Sequence, residues 1–584
     1  MTLVEDFRWY PVESAWMLHC RLESATPATI HVPAVTEWYV RVPGDYPYGE
    51  VRWYPARNGG LTATFEHQQH NGEPPDDRPW RLGYPCVSTS AYGLGRTHLD
   101  SEPFACDARL AWQARRLVDW LENAAAGTLS SPGEPFELPC LPADHDTRPV
   151  VAFTEDARSL AEWDGGRNFG VVDLHFSKRN GDEFGLVGEF RTFPEEVAFQ
   201  PTWGLAATAP GAATLAGWVR LPELPLLAPW GIPTTWGELR SCWPAAGPQL
   251  DRLLARLCDL LRGSPASYLL VGCPIPQGIG GAPTALHWFA LRLPALPGEY
   301  PGFRNRAESL WAHERATVFA NGAKLQWVAT ENWGAAQLAT RGRLRIAGRT
   351  ERLNLAGTGS LGAALAELLV RGGLTNITLI DPQTLAAGNL SRHPLTLDDV
   401  GRSKAKRLAA RLNLAHPHAR VVADVAFFPR SDEAARAAAD PPLCMVDCTG
   451  EDEVLIDMAA LVLSAPCPWL SFAFNVTASR LYCFASHGTS FDLVAFREQI
   501  NGWLADDVRQ HEGLVLPREG IGCWHPVFPA RHDDVQLLAA AAVKWLDERL
   551  AADPAAPLLT VFQCDYDGDS FRGLRRIDGA YPTA

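Results

Sequence analysis

No two cysteines of this chain stand as a CxxC pair, although it carries 13 of them. An odd number of thiols scattered over 584 residues argues against a disulfide framework, and the missing CxxC pairs argue against a four-cysteine zinc site. Each thiol is left to be judged singly as a chemical group. No apolar run approaches the ~18 residues of a membrane-spanning helix. The most apolar region, 461–476, is interrupted by Pro466 and Pro468. Met1 to Arg8 shows no basic stretch leading into an apolar run, so no secretory signal is expected. The expectation is a cytoplasmic protein with no membrane partner. A basic excess is also missing. The net charge is −15, which disfavours nucleic acid as a partner.

What the chain does have is enough apolar material for several cores. Hydrophobic residues make up 47% and charged residues 20%, the balance of a globular protein. At roughly 150 residues per domain, the length suggests three or four domains. The 21 Trp and 46 Pro fit β-rich regions separated by turns.

Three segments follow along the chain. Residues 1–140 hold alternating stretches (Glu37 to Val42, Val51 to Pro55), a polar loop from His67 to Pro79, and an amphipathic helix predicted over Asp107 to Ala126, with Gly127 as its stop. Strands, then a loop, then a helix read as an α+β unit. Pro132 to Pro135 and Pro142 to Asp146 read as linker. Residues 147–340 mix strand-like runs (Phe169 to Phe176, Phe184 to Phe190) with one helix, Pro248 to Leu261, and show no catalytic constellation. A β-rich structural or docking segment is expected there. Residues 341–584 read β-α-β-α-β: strands at Leu353 to Ala356, Asn376 to Ile380, Val421 to Ala423 and Leu443 to Val446, and helices at Leu361 to Arg371 and Lys404 to Leu414. That alternation predicts a parallel, doubly wound, Rossmann-like sheet.

The first strand of that segment runs into Gly357-Thr358-Gly359-Ser360-Leu361-Gly362, and a helix starts at once. Glycines there allow a tight turn and close approach of backbone to phosphate, and the helix N-terminus offers free N–H groups to an anion. Asp381, 19 residues beyond Gly362, ends the next strand, where an acidic residue takes ribose hydroxyls. These features alone do not separate NAD from ATP. Asn389, Arg392 and Lys404 do. Transfer of AMP to a carboxylate builds charge on the α-phosphate and expels pyrophosphate, and cations stabilise both. A nicotinamide site has little use for them.

With the glycine loop, Asp381, Asn389 with Arg392, Lys404, and Asp447-Cys448-Thr449 in this order, the segment resembles the adenylation domain of ubiquitin-activating enzymes and their relatives in thiamine and molybdopterin synthesis (the ThiF type). The resemblance implies that Gly357, Gly359 and Gly362 cradle ATP, that Asp381 binds ribose, and that Asn389, Arg392 and Lys404 hold the triphosphate, with Arg392 also serving catalysis. It implies Mg²⁺ held beside Asp447. The family's second Asp of that turn is Gly450 here; Glu451 and Asp452 follow and are the candidates to replace it, with Asp452 the expected metal ligand. Sulfur-carrier members usually have CxxC zinc pairs. Their absence turns the reading towards the protein-conjugating branch.

That branch passes the acyl group to a cysteine, because thiolate is a strong nucleophile and AMP leaves easily. Cys523 sits in Gly520-Ile521-Gly522-Cys523-Trp524-His525-Pro526, a loop with an adjacent imidazole, after the long stretch from Asp492 to Glu519 that could cross the active site. Cys448, Cys467 and Cys483 lie in apolar contexts and are expected to be buried. A second thiol, Cys86 in Gly83-Tyr84-Pro85-Cys86, follows Tyr46-Pro47 and a loop containing His67, His70 and Asn71. This order resembles ubiquitin-conjugating enzymes, with no Pro between His70 and Asn71. It implies Cys86 as the conjugating thiol and leaves open whether His67, His70 or Asn71 assists it. Cys106 is the competitor and reads as structural.

A conjugating-like unit ahead of an activating-like unit resembles the fused enzymes of bacterial CBASS anti-phage operons. The resemblance implies ATP-dependent activation of a protein C-terminus, a thioester on Cys523, transfer to Cys86, and conjugation to a target amine, with homodimers formed through the adenylation domain. The activated protein would be a cGAS-like nucleotidyltransferase or a bacterial ubiquitin-like modifier. The rival readings are an NAD-dependent oxidoreductase and a non-catalytic nucleotide-binding scaffold.

Overall fold

The computed structural model describes residues 1–87, 102–103, 105–142, 146–163, 168–179, 182–193, 196–207, 213–242, 247–263, 265, 267–302, 306–429, 432–519, 525–552 and 556–582. It forms two units, Met1–Pro201 with Gly211–Gly334, and Thr202–Pro210 with Ala335–Ala584.

The first unit opens with an antiparallel meander in chain order, β1 (Thr2–Tyr10), β2 (Ala15–Glu23), β3 (Val35–Pro43) and β4 (Arg52–Pro55). Period-two alternation puts Trp38, Val40 and Val42 on one face of β3. There they are buried with Leu117, Trp120 and Leu121 of α1 (Arg109–Ala126). The helix starts two residues later than Asp107, and it stops at Gly127, whose φ of 67° is the left-handed cap that glycine adopts without strain.

The middle strands are β5 (Asp146–Phe153), β6 (Phe169–Arg179), β7 (Asp182–Thr192), β8 (Val197–Phe199), β9 (Ala213–Arg220), β10 (Ser267–Pro276), β11 (Pro283–Leu293) and β12 (Trp327–Asn332). Their order is β5-β12-β11-β10-β9-β6-β7-β8. Phe184 to Leu186 of β7 also pair with Val150 to Ala152 of β5, which closes the sheet on itself. One side of it is packed with aromatics, among them Trp163, Phe190, Trp218 and Trp288. The buried Glu155 accepts hydrogen bonds from the indoles of Trp163 (3.1 Å) and Trp288 (2.8 Å). Burial pushes its carboxyl up to about 7, against those bonds. The helices here are α2 (Ala157–Glu162), α3 (Trp236–Cys242), α4 (Gly247–Leu261) and α5 (Ala307–Thr317). Leu253 and Leu257 of α4 pack on the other side of the sheet with Val271 and Phe289.

Pro132 to Pro135, read from sequence as linker, is tied to the β10–β11 hairpin. Gly133 N–H donates to Ile279 O (2.9 Å), Ile279 N–H to Glu134 O (2.8 Å), and Phe136 N–H to Gln277 O (3.1 Å). Turn residues bring the segment alongside the hairpin, and backbone pairing then orders it.

Besides Thr202–Pro210, the second unit runs from the short helix α6 (Ala335–Ala339). Its elements continue as β13 (Leu353–Ala356), α7 (Ser360–Arg371), β14 (Asn376–Ile380), α8 (Lys404–Ala415), β15 (Arg420–Asp424), α9 (Asp432–Ala439), β16 (Cys444–Asp447), α10 (Asp452–Ala460), β17 (Cys467–Phe474), β18 (Arg480–Gly488), α11 (Leu493–Gln510), β19 (Arg518–Glu519), β20 (His525–Pro526), α12 (His532–Ala551), β21 (Leu558–Asp567) and β22 (Ser570–Asp578). The large sheet runs β15-β14-β13-β16-β17-β18-β21-β22. Its first five strands are parallel, and β18, β21 and β22 extend it antiparallel. Leu353 and Leu355 face α7, α8 and α12, while Ala356 and Met445 face α9, α10 and α11. The sheet is therefore doubly wound, as the sequence predicts. Most of the stretch from Asp492 to Glu519 is the helix α11, because Phe496, Ile500 and Trp503 recur at helical spacing and bury one face.

Candidate functional site

The strand order of the second unit reverses between β13 and β16, and an open α/β sheet binds ligands in the crevice at such a point. Gly357 leaves β13 at φ 88°. A Cβ on it would stand 2.9 Å from the Cys448 backbone, so the turn needs glycine twice over. A Cβ on Gly362 would come 2.0 Å from Gly357 O, which lets α7 sit hard against the loop. Gly359 is different. A Cβ there would meet nothing within 4 Å, so its side faces open space beside the N-terminus of α7.

Asp381, buried at the end of β14, fixes this loop. One carboxylate oxygen accepts from Thr358 N–H (2.7 Å) and Thr358 Oγ1–H (2.9 Å), and the other accepts from Gln383 N–H (2.7 Å). The Lys404 ammonium at the start of α8 donates to Gln383 Oε1 at 2.8 Å. Burial lowers its pKa, Arg392 adds to that, and the Asp381 carboxylate opposes it. Asn389 Oδ1 accepts Ala386 N–H at 3.0 Å, which shapes the short turn Ala387–Ser391. The Arg392 guanidinium lies 5.6 Å from the centre of the Phe528 ring. Asp447 is buried, its oxygens taken by Thr449 N–H (2.9 Å), Thr449 Oγ1–H (2.6 Å) and Ser471 Oγ–H (2.9 Å). Burial raises its pKa and these bonds counter it. Asp452 is exposed at the start of α10. With Asp447 and Gly450 it lines a cavity of about 750 Å³ that also touches Leu455, Phe474 and Phe496.

Sequence reasoning gave no role to three neighbours of this site. The buried His393 hydrogen-bonds Thr358 O through Nε2 (2.8 Å), and its Nδ1 accepts Leu395 N–H (3.2 Å), so the ring is neutral and joins the Asn389–Arg392 turn to the glycine loop. Thr358 and Gln383 are the others. Their positions, inside the loop and just past Asp381, were the available signal. Among the described residues, no group of three or more His, Cys, Asp and Glu could hold a metal ion.

Cys523 lies outside the described residues, between β19 and β20 in sequence; those two strands pair antiparallel. Cys448, Cys467 and Cys483 are buried. Cys86 is exposed and lines a cavity of about 600 Å³ with His67 and Glu137. Its N–H donates to His67 O (2.7 Å), Gln69 N–H to Tyr84 O (3.1 Å), and Gln68 Nε2–H to Gly83 O (2.9 Å), so the histidine loop and the thiol turn are clamped together. Asn71 is buried, and its amide donates to Leu61 O (2.8 Å) and Ala63 O (2.9 Å), which spends both amide hydrogens away from the thiol. Cys106 is exposed ahead of α1, and its carbonyl accepts the Tyr46 hydroxyl (2.8 Å).

With this geometry in place, known proteins resolve the class. The family "Cap2 central linker domain" matches residues 127–333, and the "ThiF family" matches residues 336–513. An "ATP-dependent ubiquitin transferase-like protein Cap2" of Enterobacter hormaechei subsp. hoffmannii (strain UCI 50) is 33% identical over 550 residues, 91% of this chain and 89% of that protein. The chain belongs to the Cap2 family. It is thus an enzyme of the ATP-dependent, ubiquitin transferase-like class, with a ThiF-type adenylating domain. The molybdopterin-synthase adenylyltransferase of Escherichia coli (strain K12) is 29% identical over 126 residues, 21% of this chain and 50% of that protein. A solved structure of E. coli MccB with ATP aligns over 48% of this chain and 74% of that one, at 13% identity and a TM-score of 0.29. Among the described residues, no helix is long and apolar enough to cross a membrane.

Proposed function

We propose that this chain joins the C-terminus of a protein to an amine in four steps. The C-terminal carboxylate attacks the α-phosphorus of ATP and pyrophosphate leaves. The Cys523 thiolate attacks the acyl-adenylate and AMP leaves. Cys86 takes the acyl group by thiol exchange. An amine on the target then displaces Cys86. Residues 341–584 would carry the first two steps and residues 1–140 the last, with residues 147–340 holding a docking or spacing role.

One observation carries the reading. The buried Lys404 ammonium is met by the neutral amide of Gln383, in a site whose loop is open at Gly359. A phosphate would supply the anion that such a cation is poised to hold. Arg392 and Asn389 sit on the turn that His393 links to the same loop, and are assigned to the triphosphate. Asp381 serves the ribose, as well as holding the loop. Mg²⁺ neutralises phosphate charge when bound. One or two carboxylates with phosphate oxygens suffice to hold that ion, which fits Asp447 and Asp452 better than a cage of protein ligands would. The mixed cavity beside Asp447 is assigned to the tail of the activated protein.

That protein is proposed to be a cGAS-like nucleotidyltransferase and the setting cytoplasmic anti-phage defence, with the enzyme working as a homodimer. The Cap2 resemblance supports these assignments. A bacterial ubiquitin-like modifier is the alternative substrate. The test is pyrophosphate exchange into ATP, with each protein supplied separately as acceptor. Exchange dependent on the nucleotidyltransferase, with a reductant-sensitive adduct lost in C523A, is expected. Exchange with neither acceptor would overturn the adenylation reading.

A further inference from the structure

His67 stands in the Cys86 cavity with its ring oriented from outside the thiol-bearing segment. Its Nδ1 is 2.7 Å from Glu137 Oε2, and the same oxygen accepts the His67 N–H at 3.2 Å. Its Nε2 is 3.4 Å from Ser130 Oγ, a long contact. Glu137 and Ser130 belong to the segment matched by the linker family, not to the meander and helix that present Cys86. Glu137 directly follows Phe136, whose N–H is paired to the β10–β11 hairpin, so the backbone carrying the carboxylate is anchored there. His67 also has φ 55°, a conformation uncommon for a residue with a side chain, and such strain gathers at functional sites.

We infer that His67, oriented by Glu137, is the proton acceptor for the amine that attacks the Cys86 thioester. The inference rests on Cys86 being the last acyl carrier. A carboxylate on Nδ1–H fixes the tautomer, so that Nε2 carries the lone pair, the logic of an oriented base. In the step, the amine nitrogen bonds to the acyl carbon and gives one proton to His67 Nε2. The C–S bond breaks, sulfur leaves as the Cys86 thiolate, and the imidazolium returns that proton to sulfur. The products are an amide and the free thiol, with no other reactant. Asn71 is unsuited to assist, since its amide hydrogens are spent on Leu61 and Ala63. The other titratable groups around the cavity are placed otherwise. Glu102 and Arg109 are paired with each other at 2.7 Å. Burial raises the Cys140 thiol and the Tyr84 phenol, which keeps both protonated near neutrality. Glu50 lies on the ion pair with Arg52.

Thioester loading and discharge should respond differently. A thiol exchange needs little help from a base, because sulfur is a strong nucleophile and a good leaving group, whereas a lysine amine must give up a proton as the amide forms and needs a base far more. The full chain is acylated with a fluorescent peptide ending in Gly-Gly, supplied as its mercaptoethanesulfonate thioester, and the label that C86A fails to acquire is followed. Discharge is then timed with free lysine and with hydroxylamine, a weakly basic nucleophile that needs no general base. His67→Asn keeps a residue that tolerates positive φ. It is expected to slow discharge to lysine at least about tenfold. Discharge to hydroxylamine should stay within about twofold of the parent. Glu137→Gln should give a smaller loss of the same kind. Equal discharge to lysine in parent and H67N would overturn the inference, as would equal slowing with both nucleophiles. If the parent acquires no more label than C86A, it is the Cys86 assignment that fails.

Discussion

The Lys404 ammonium lies 2.8 Å from Gln383 Oε1, a cation answered at contact distance by an amide dipole. Burial alone would make this arrangement costly, and the lowered pKa of Lys404 records that cost. Lys404→Met should therefore separate stability from activity. Its melting temperature should equal or exceed the parent's, because removing a poorly compensated charge is neutral or favourable. Pyrophosphate exchange should fall by about 100-fold or more. A variant that melts lower and still exchanges would show Lys404 to be a structural residue.

Gly359 and Gly362 are three residues apart and should respond oppositely. Gly362→Ala forces a Cβ to 2.0 Å from Gly357 O. A loss on the order of 2–4 kcal/mol is expected, from overpacking at a backbone atom. Gly359→Ala meets nothing in the chain. Denaturant unfolding should leave it within about 0.5 kcal/mol of the parent, while the KM for ATP rises as the methyl group enters the space assigned to phosphate.

The two thiols should divide the reaction in time. Quenched, non-reducing gels of C86A should retain a thioester on the chain but yield no amide conjugate. C523A should yield neither. A conjugate formed by C523A would show that the acyl group reaches Cys86 directly from the adenylate.

His287 predicts an acid limit to stability. It makes edge contacts with the rings of Phe153 (5.4 Å) and Phe289 (4.5 Å), and burial lowers its pKa from 6.5 to about 4. The unfolded chain then binds a proton that the folded chain refuses. The stability from keeping this ring neutral is fully present above pH 6.5 and is lost as the pH falls towards 4. His287→Phe should flatten the decline in melting temperature over that window. The same slope in parent and variant would remove His287 as its source.

Much of the second unit was legible because its signals are local. Asn376–Ile380 is a strand over the residues predicted, and α7 and α8 begin within one residue of prediction, since glycine loop, apolar strand and helix start are set by adjacent residues. The middle segment was not legible in this way. Its closure depends on β5 meeting β7, strands whose pairing no local pattern announces. The C-terminal strands β18, β21 and β22 join the parallel sheet antiparallel for the same reason. At the Cys86 cavity, Cys86 and the histidine loop could be read from spacing, but Glu137 could not, because it stands 70 residues after His67.

The sequence by itself determined the glycine turn, the acidic residue 19 positions on, and the order Asn389, Arg392, Lys404, since each is a matter of residue type and short spacing. Only the tertiary structure decided what these groups touch. It tied Asp381 to Thr358, set Lys404 against an amide, turned Asn71 away from Cys86 and brought Glu137 to His67. Hydrogen bonds between side chains far apart in sequence exist only after sheets and loops have packed, so their partners are properties of the fold and not of any local stretch of chain.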